Sequence, residues 1–117
     1  MSYQPGTHII ATLKVENNDL LQLHTEFREK VNALIERYDL KKLGEVYHDF
    51  TPAGFTAVIC LSESHISIHT WPEHHLVNLD IYLSNFQRNN DGTVETIYRA
   101  VTEFFKATVT KEQIISR

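Results

Sequence analysis

The chain has one cysteine, Cys60, no apolar run approaching bilayer length and no surplus of basic charge in its 117 residues. Each shortage closes off a class of protein. A lone thiol cannot form an internal disulfide, which fits a reducing compartment and places the expected location in the cytoplasm. Without roughly 20 consecutive apolar residues no membrane span is expected. Met1 to Gly6 offers neither a basic region nor an apolar stretch, so no signal peptide is expected either. A net charge of −4 speaks against a nucleic-acid partner, since phosphate-backbone binders carry a basic face. The one basic pair, Lys41-Lys42, reads as solvated surface. There is no internal repeat and no low-complexity tract. What remains, 42% hydrophobic and 22% charged, suits an ordinary globular protein with one domain, 1–117, and a modest core.

Periodicity supplies the elements. Positions 7–16 read as a strand, β-branched and apolar in the middle. Asn17, Asn18 and Asp19 are candidate helix caps. Leu20, His24, Phe27, Val31, Leu34, Ile35 and Tyr38 then recur at helical spacing, which predicts one amphipathic helix over 19–38. Strands are expected at 43–50 and 55–62, separated by turn residues Thr51 to Gly54. Segment 65–71 alternates strictly, with Ile66 and Ile68 on one side and His65, Ser67, His69 and Trp71 on the other. Pro72 interrupts it, having no N–H to donate. Segment 76–84 alternates again, Val77, Leu79, Ile81 and Leu83 against Asn78, Asp80, Tyr82 and Ser84. After a loop over 85–92, with Asp91 or Thr93 as cap, a second helix carries Val94, Ile97, Tyr98, Val101, Phe104 and Phe105. A short strand closes at 109–115. The order β-α-β-β-β-β-α-β predicts an α+β fold: a two-layer sandwich, an antiparallel sheet with two helices packed on one face.

Chemistry concentrates between 62 and 84. His65, His69, His74 and His75 fall close together, with Glu63, Glu73 and Asp80 nearby. There is no HExxH and no cysteine-ligand pattern, and of these histidines only His65 and His69 must share a strand face, so no metal is expected. On composition alone the segment is a polar strand with satisfied histidines. Trp71, before a proline at a strand end, reads as core packing or as a ligand contact. Cys60 is expected to be a small buried hydrophobe.

The literal string says more. Residues 62–73 run Ser-Glu-Ser-His-Ile-Ser-Ile-His-Thr-Trp-Pro-Glu, preceded at 50–54 by Phe-Thr-Pro-Ala-Gly. This resembles the prokaryotic S-adenosylmethionine decarboxylase family, whose self-cleavage segment has the form ESHxxxHTWPE, and the resemblance covers nearly the whole chain. It implies a pyruvoyl-dependent amino-acid carboxy-lyase of polyamine and spermidine biosynthesis, made as a proenzyme. The chain would cut itself between Glu63 and Ser64 into 1–63 and 64–117, and the pyruvoyl cofactor would be generated from Ser64. The resemblance also implies His69 as the processing histidine, Thr56 as the hydroxyl residue that assists it, and substrate binding by Phe50, Trp71, Glu73 and Asp80. A homodimer with active sites near its interface is implied as well. The roles make chemical sense: a positioned hydroxyl attacks the preceding carbonyl with imidazole as proton carrier, and the new carbonyl is an electron sink.

The chain departs from the pattern downstream. Where the family continues to Asp-x-Phe-Thr-Cys-Gly, residues 80–85 run Asp-Ile-Tyr-Leu-Ser-Asn, so Ser84 holds the place of the catalytic cysteine. A thiol ionises near pH 8.5, and a serine hydroxyl is a far weaker acid. Three expectations follow: S-adenosylmethionine as substrate with Ser84, His69 or water delivering the proton; a pocket moved to arginine or ornithine; or a non-catalytic dimeric relative. Intact Glu63, Ser64 and His69 argue against the last.

Overall fold

The alternating segments all become strands, and their apolar sides turn the same way. The computed structural model describes residues 3–85 and 88–117. Its elements are β1 (Thr7–Lys14), α1 (Asp19–Gln22), α2 (Thr25–Arg37), β2 (Lys42–Asp49), β3 (Phe55–Leu61), β4 (Ser64–Trp71), β5 (Leu76–Leu83), α3 (Asp91–Phe105) and β6 (Thr108–Ser116), with a 3-10 turn at Pro72–His74. The six strands form one antiparallel sheet in the order β2-β3-β4-β5-β1-β6. β2 and β6 are its edges, and β4 lies inside it.

One sheet face is the core. Ile9, Ala11 and Leu13 of β1, Ala57 and Ile59 of β3, Ile66 and Ile68 of β4 and the four apolar residues of β5 are buried. Against them lie Phe27, Val31, Leu34 and Ile35 of α2 and Val94, Ile97, Val101 and Phe105 of α3. Phe27 ties the two layers together, its ring 5.7 Å from Phe55 and 6.2 Å from Phe105. This is the expected α+β two-layer sandwich. No helix among the described residues is long and apolar enough to cross a membrane.

Besides the cap of α3, which is Asn90 and not Asp91 or Thr93, two expectations fail locally. The helix expected over 19–38 is two helices, broken at Leu23, whose backbone is extended. The cause lies in the loop between β2 and β3. Gly54 donates its N–H to the Gln22 carbonyl at 3.0 Å, and the Asp49 carboxylate takes the His24 N–H at 2.9 Å. The apolar spacing continues across the break, so periodicity alone could not reveal it. Cys60, expected buried, is exposed, because it shares the outer face with Thr56 and Val58.

The same loop shapes the ground around Phe50. Gly54 has φ 103, open to glycine at little cost, and a Cβ there would press on Pro72 and on the Thr70 carbonyl at 3.2–3.3 Å. Thr70 is buried with its hydroxyl satisfied: it accepts the Phe55 N–H at 2.8 Å and donates to the Leu21 carbonyl at 2.7 Å.

Asp49 anchors this region. Burial pushes its carboxyl up, but hydrogen bonds from the His24 ring and backbone outweigh that and hold it below the usual carboxylate range. A depressed folded value means stability that is present above the unfolded pKa of about 3.9 and lost as the pH falls through the lower folded value. Asp49→Asn should therefore be less stable near neutrality by about 1 kcal/mol, kept small because the pair is partly solvated. Urea unfolding as a function of pH should show that gap closing below about pH 4.

Candidate functional site

β4 carries chemistry at both ends. Its first residue follows a tight turn, Ser62-Glu63, and Ser64 pairs with Leu61 on one side and Leu83 on the other. Ser64 has φ 140, a region L residues rarely occupy. Backbone of this kind stores about 1–3 kcal/mol, and it persists where surrounding contacts impose it. Those contacts are visible. The Ser84 N–H donates to the Glu63 carbonyl at 2.7 Å. The Glu63 carboxylate, itself mostly buried, accepts from Arg88 at 3.0 and 3.3 Å and from the Asn90 side-chain amide. Asn90 also donates to the Ser84 carbonyl at 2.9 Å.

Beside Ser64 on the outer face, Asp80 Oδ1 lies 3.1 Å from His65 Nε2 and 2.5 Å from His8 Nε2. These three residues have metal-ligand chemistry and ligand atoms within 4.8 Å of one another. Arg117, however, lies against His8 Nδ1 at 3.0 Å. A guanidinium only donates, so Nδ1 accepts and Nε2 carries the proton that Asp80 receives. A metal at that nitrogen would have to displace the proton, so the cluster is built as a hydrogen-bonded chain. Asp80 is committed to this chain and is not drawn to the cavity described next.

The other end of β4 borders a cavity of about 370 Å3, lined by Phe50, Pro52, His69, Thr70, Trp71 and Glu73 among others. Phe50 is half exposed, and so is Trp71, whose indole N–H donates to Asn78 Oδ1 at 2.9 Å. Of the two readings of Trp71, core packing is therefore the one the fold does not use. His69 pairs across the sheet with Thr56, and the threonine hydroxyl and His69 Nδ1 share a 2.5 Å hydrogen bond. That bond fixes the ring and leaves Nε2 for proton transfer. His75 is held at the end of β1 by the Val15 carbonyl.

The candidate residues thus fall into two groups. Phe50, Thr56, His69, Trp71 and Glu73 come together, and so do Glu63, Ser64 and Ser84, while Asp80 lies opposite Ser67, between the two groups. Ser64 and His69 are five steps apart along extended strand, about 16 Å at roughly 3.3 Å per residue. Arg88 and Asn90 escaped sequence reading because they lie in a loop. Asn90 sits before α3, where asparagine ordinarily caps a helix, but here it makes no side-chain cap.

Comparison with known proteins identifies the family. The family model described as S-adenosylmethionine decarboxylase matches residues 7–117. An "S-adenosylmethionine decarboxylase proenzyme" of Archaeoglobus fulgidus is 37% identical over 112 residues, covering 96% of each chain. A relative of the same name from Aquifex aeolicus is 42% identical over 77 residues, covering 66% of this chain and 57% of that one. The crystal structure of the adenosylmethionine decarboxylase from Aquifex aeolicus superimposes with a TM-score of 0.85 at 28% identity, covering 99% of this chain and 92% of that one. A match to the family model over nearly the whole length, joined to the same fold, establishes that this chain belongs to the S-adenosylmethionine decarboxylase family.

Proposed function

We propose that the chain is the precursor of a pyruvoyl-dependent decarboxylase that cuts itself between Glu63 and Ser64 and acts on S-adenosylmethionine. The observation that carries this reading is the Glu63 carbonyl. It accepts the Ser84 N–H at 2.7 Å, and the residue that follows it is a strained serine. A donor placed on a carbonyl oxygen stabilises the charge that develops there under attack. Ser64 Oγ adds to the carbonyl carbon and gives its proton to a base. The C–N bond breaks, an ester C–O bond forms, and the freed Ser64 nitrogen takes up a proton. Elimination then releases Glu63 as a carboxylate, and hydrolysis of the resulting dehydroalanine releases ammonia. The products are 1–63 and 64–117. Ser84 here works through its backbone, so the loss of a cysteine at this position leaves the cutting step intact.

His69 is the base in this account, and it comes from a second copy. A paired strand cannot fold back over about 16 Å. The outer sheet face, in contrast, exposes Ile10, Val46, Val58, Trp71 and Ile115, an apolar surface suited to an isologous homodimer. A two-fold axis parallel to the sheets, lying between the two outer faces and perpendicular to β4, reverses the strand. It sets the Ser64 end of each copy over the His69 end of the other. Thr56, bonded to His69 Nδ1, then orients the ring for proton transfer at Nε2.

The pyruvoyl group would sit at the start of β4 and supply an electron sink for loss of carbon dioxide. No step calls on a metal. The second copy's Phe50 and Trp71 present flat faces suited to an adenine ring. Its Glu73 carboxylate accepts hydrogen bonds from ribose hydroxyls. Asp80 holds His65 beside the reacting residue. The aromatic cavity and the names of the relatives favour S-adenosylmethionine over arginine or ornithine. With serine at 84, proton delivery falls to its weakly acidic hydroxyl, to His69 or to water, and the protein works within the cytoplasm in polyamine synthesis.

Complementation tests the two-copy site. Ser64→Ala and His69→Ala should each remain uncut alone. When the two are co-expressed, the His69→Ala chain should be cut and the Ser64→Ala chain should not. An uncut mixture that nevertheless forms mixed dimers would refute the arrangement. For the proton donor, Ser84→Cys should raise carbon dioxide release from carboxyl-labelled S-adenosylmethionine by about tenfold or more. Unchanged turnover would show that residue 84 does not deliver the proton.

A further inference from the structure

We infer that Asn90 and Arg88 are positioning residues for the self-cleavage, clamping Glu63 so that its carbonyl stays on the Ser84 N–H. The inference rests on the proposal that the Glu63–Ser64 bond is cut. Asn90 is 1% exposed and touches both sides of the reacting arrangement. One amide nitrogen donates to the Glu63 carboxylate and to the Ser84 carbonyl. The peptide that is attacked and the residue that supplies its oxyanion donor are thereby tied to a single side chain. Asn85 Oδ1 in turn accepts the Asn90 N–H at 2.7 Å, which fixes Asn90 itself.

Asn90 occupies the cap position of α3, yet its side chain makes no bond to the helix. An asparagine cap is commonly worth about 1 kcal/mol, and here it is turned away from the helix and onto the cut site. Arg88 adds the charge. It reaches both oxygens of the Glu63 carboxylate and spans to the Asp39 carbonyl at 2.8 Å, anchoring the clamp to the end of α2. A buried carboxylate without these partners would rotate toward water and draw its own backbone carbonyl away from Ser84.

The chemistry assigns the clamp to the first step. Attack by Ser64 Oγ converts the amide to an ester and needs the Glu63 carbonyl held in the Ser84 donor. Hydroxylamine cleaves the ester directly, giving a hydroxamate at Glu63 and free Ser64, and so bypasses the later elimination but not the first attack.

The test is the time course of cutting for full-length chains made in a cell-free system, with and without hydroxylamine, followed on denaturing gels. Wild type should cut. Asn90→Ala should cut about tenfold more slowly, hydroxylamine should not restore the rate, and urea unfolding should confirm a folded protein. Arg88→Ala should also be slow, and Arg88→Lys should recover part of the rate. Cutting of Asn90→Ala at the wild-type rate, or full restoration by hydroxylamine, would overturn the inference. If Asn90→Ala does not fold, the exposed Arg88 pair decides: equal rates for Arg88→Ala and wild type would overturn it. An uncut wild-type chain would instead remove the underlying proposal, so the two failures are distinguishable.

Discussion

β4 is hydrogen-bonded to a neighbour on each side from Ser64 to Trp71, and that pairing fixes the distance between its two ends. An interior strand cannot bend back on itself without breaking both ladders. Nearly everything else about the site follows from this constraint. The strained serine and its polarised carbonyl lie at one end; the imidazole, the aromatic cavity and Glu73 lie at the other. In a loop, the spacing from Ser64 to His69 would allow contact. In a paired strand it forbids contact within one chain and fits contact between two.

The two faces of the sheet divide the work. The inner face is fully used, with Phe27 bridging sheet and helices, and it makes the strand positions rigid. Rigidity is what a site of this kind needs, because a displacement of about 1 Å can cost roughly a hundredfold in rate. The outer face mixes exposed apolar residues with the chain Arg117–His8–Asp80–His65. In the proposed pair of copies, a polar chain at one end of this face would distinguish among arrangements that a purely apolar face would leave equivalent.

Much of this was legible in the residues. Strict alternation in 65–71 and 76–84 gave both the strands and the face each side chain occupies, because the period of a strand leaves no latitude. The helix break at Leu23 was not legible: it depends on Asp49 and Gly54, distant in sequence and brought near only by the β2–β3 loop. Cys60 misled because a small thiol is equally at home inside or outside, and only the register with His65 assigns it a face. The motif singled out Ser64 and His69 but could not say that they sit toward opposite ends of one strand. Asn90 was not legible: the caps expected for α3 were Asp91 and Thr93, and the partners of the Asn90 side chain, Glu63 and Ser84, are brought to it only by the fold.

The intact mass of purified protein under denaturing conditions tests the central claim most directly. The account predicts two chains, 1–63 ending in a free Glu63 carboxylate and 64–117 lighter by one ammonia than the same segment beginning with serine. A single uncut chain that is folded and dimeric would contradict it, and so would a 64–117 fragment that retains its serine.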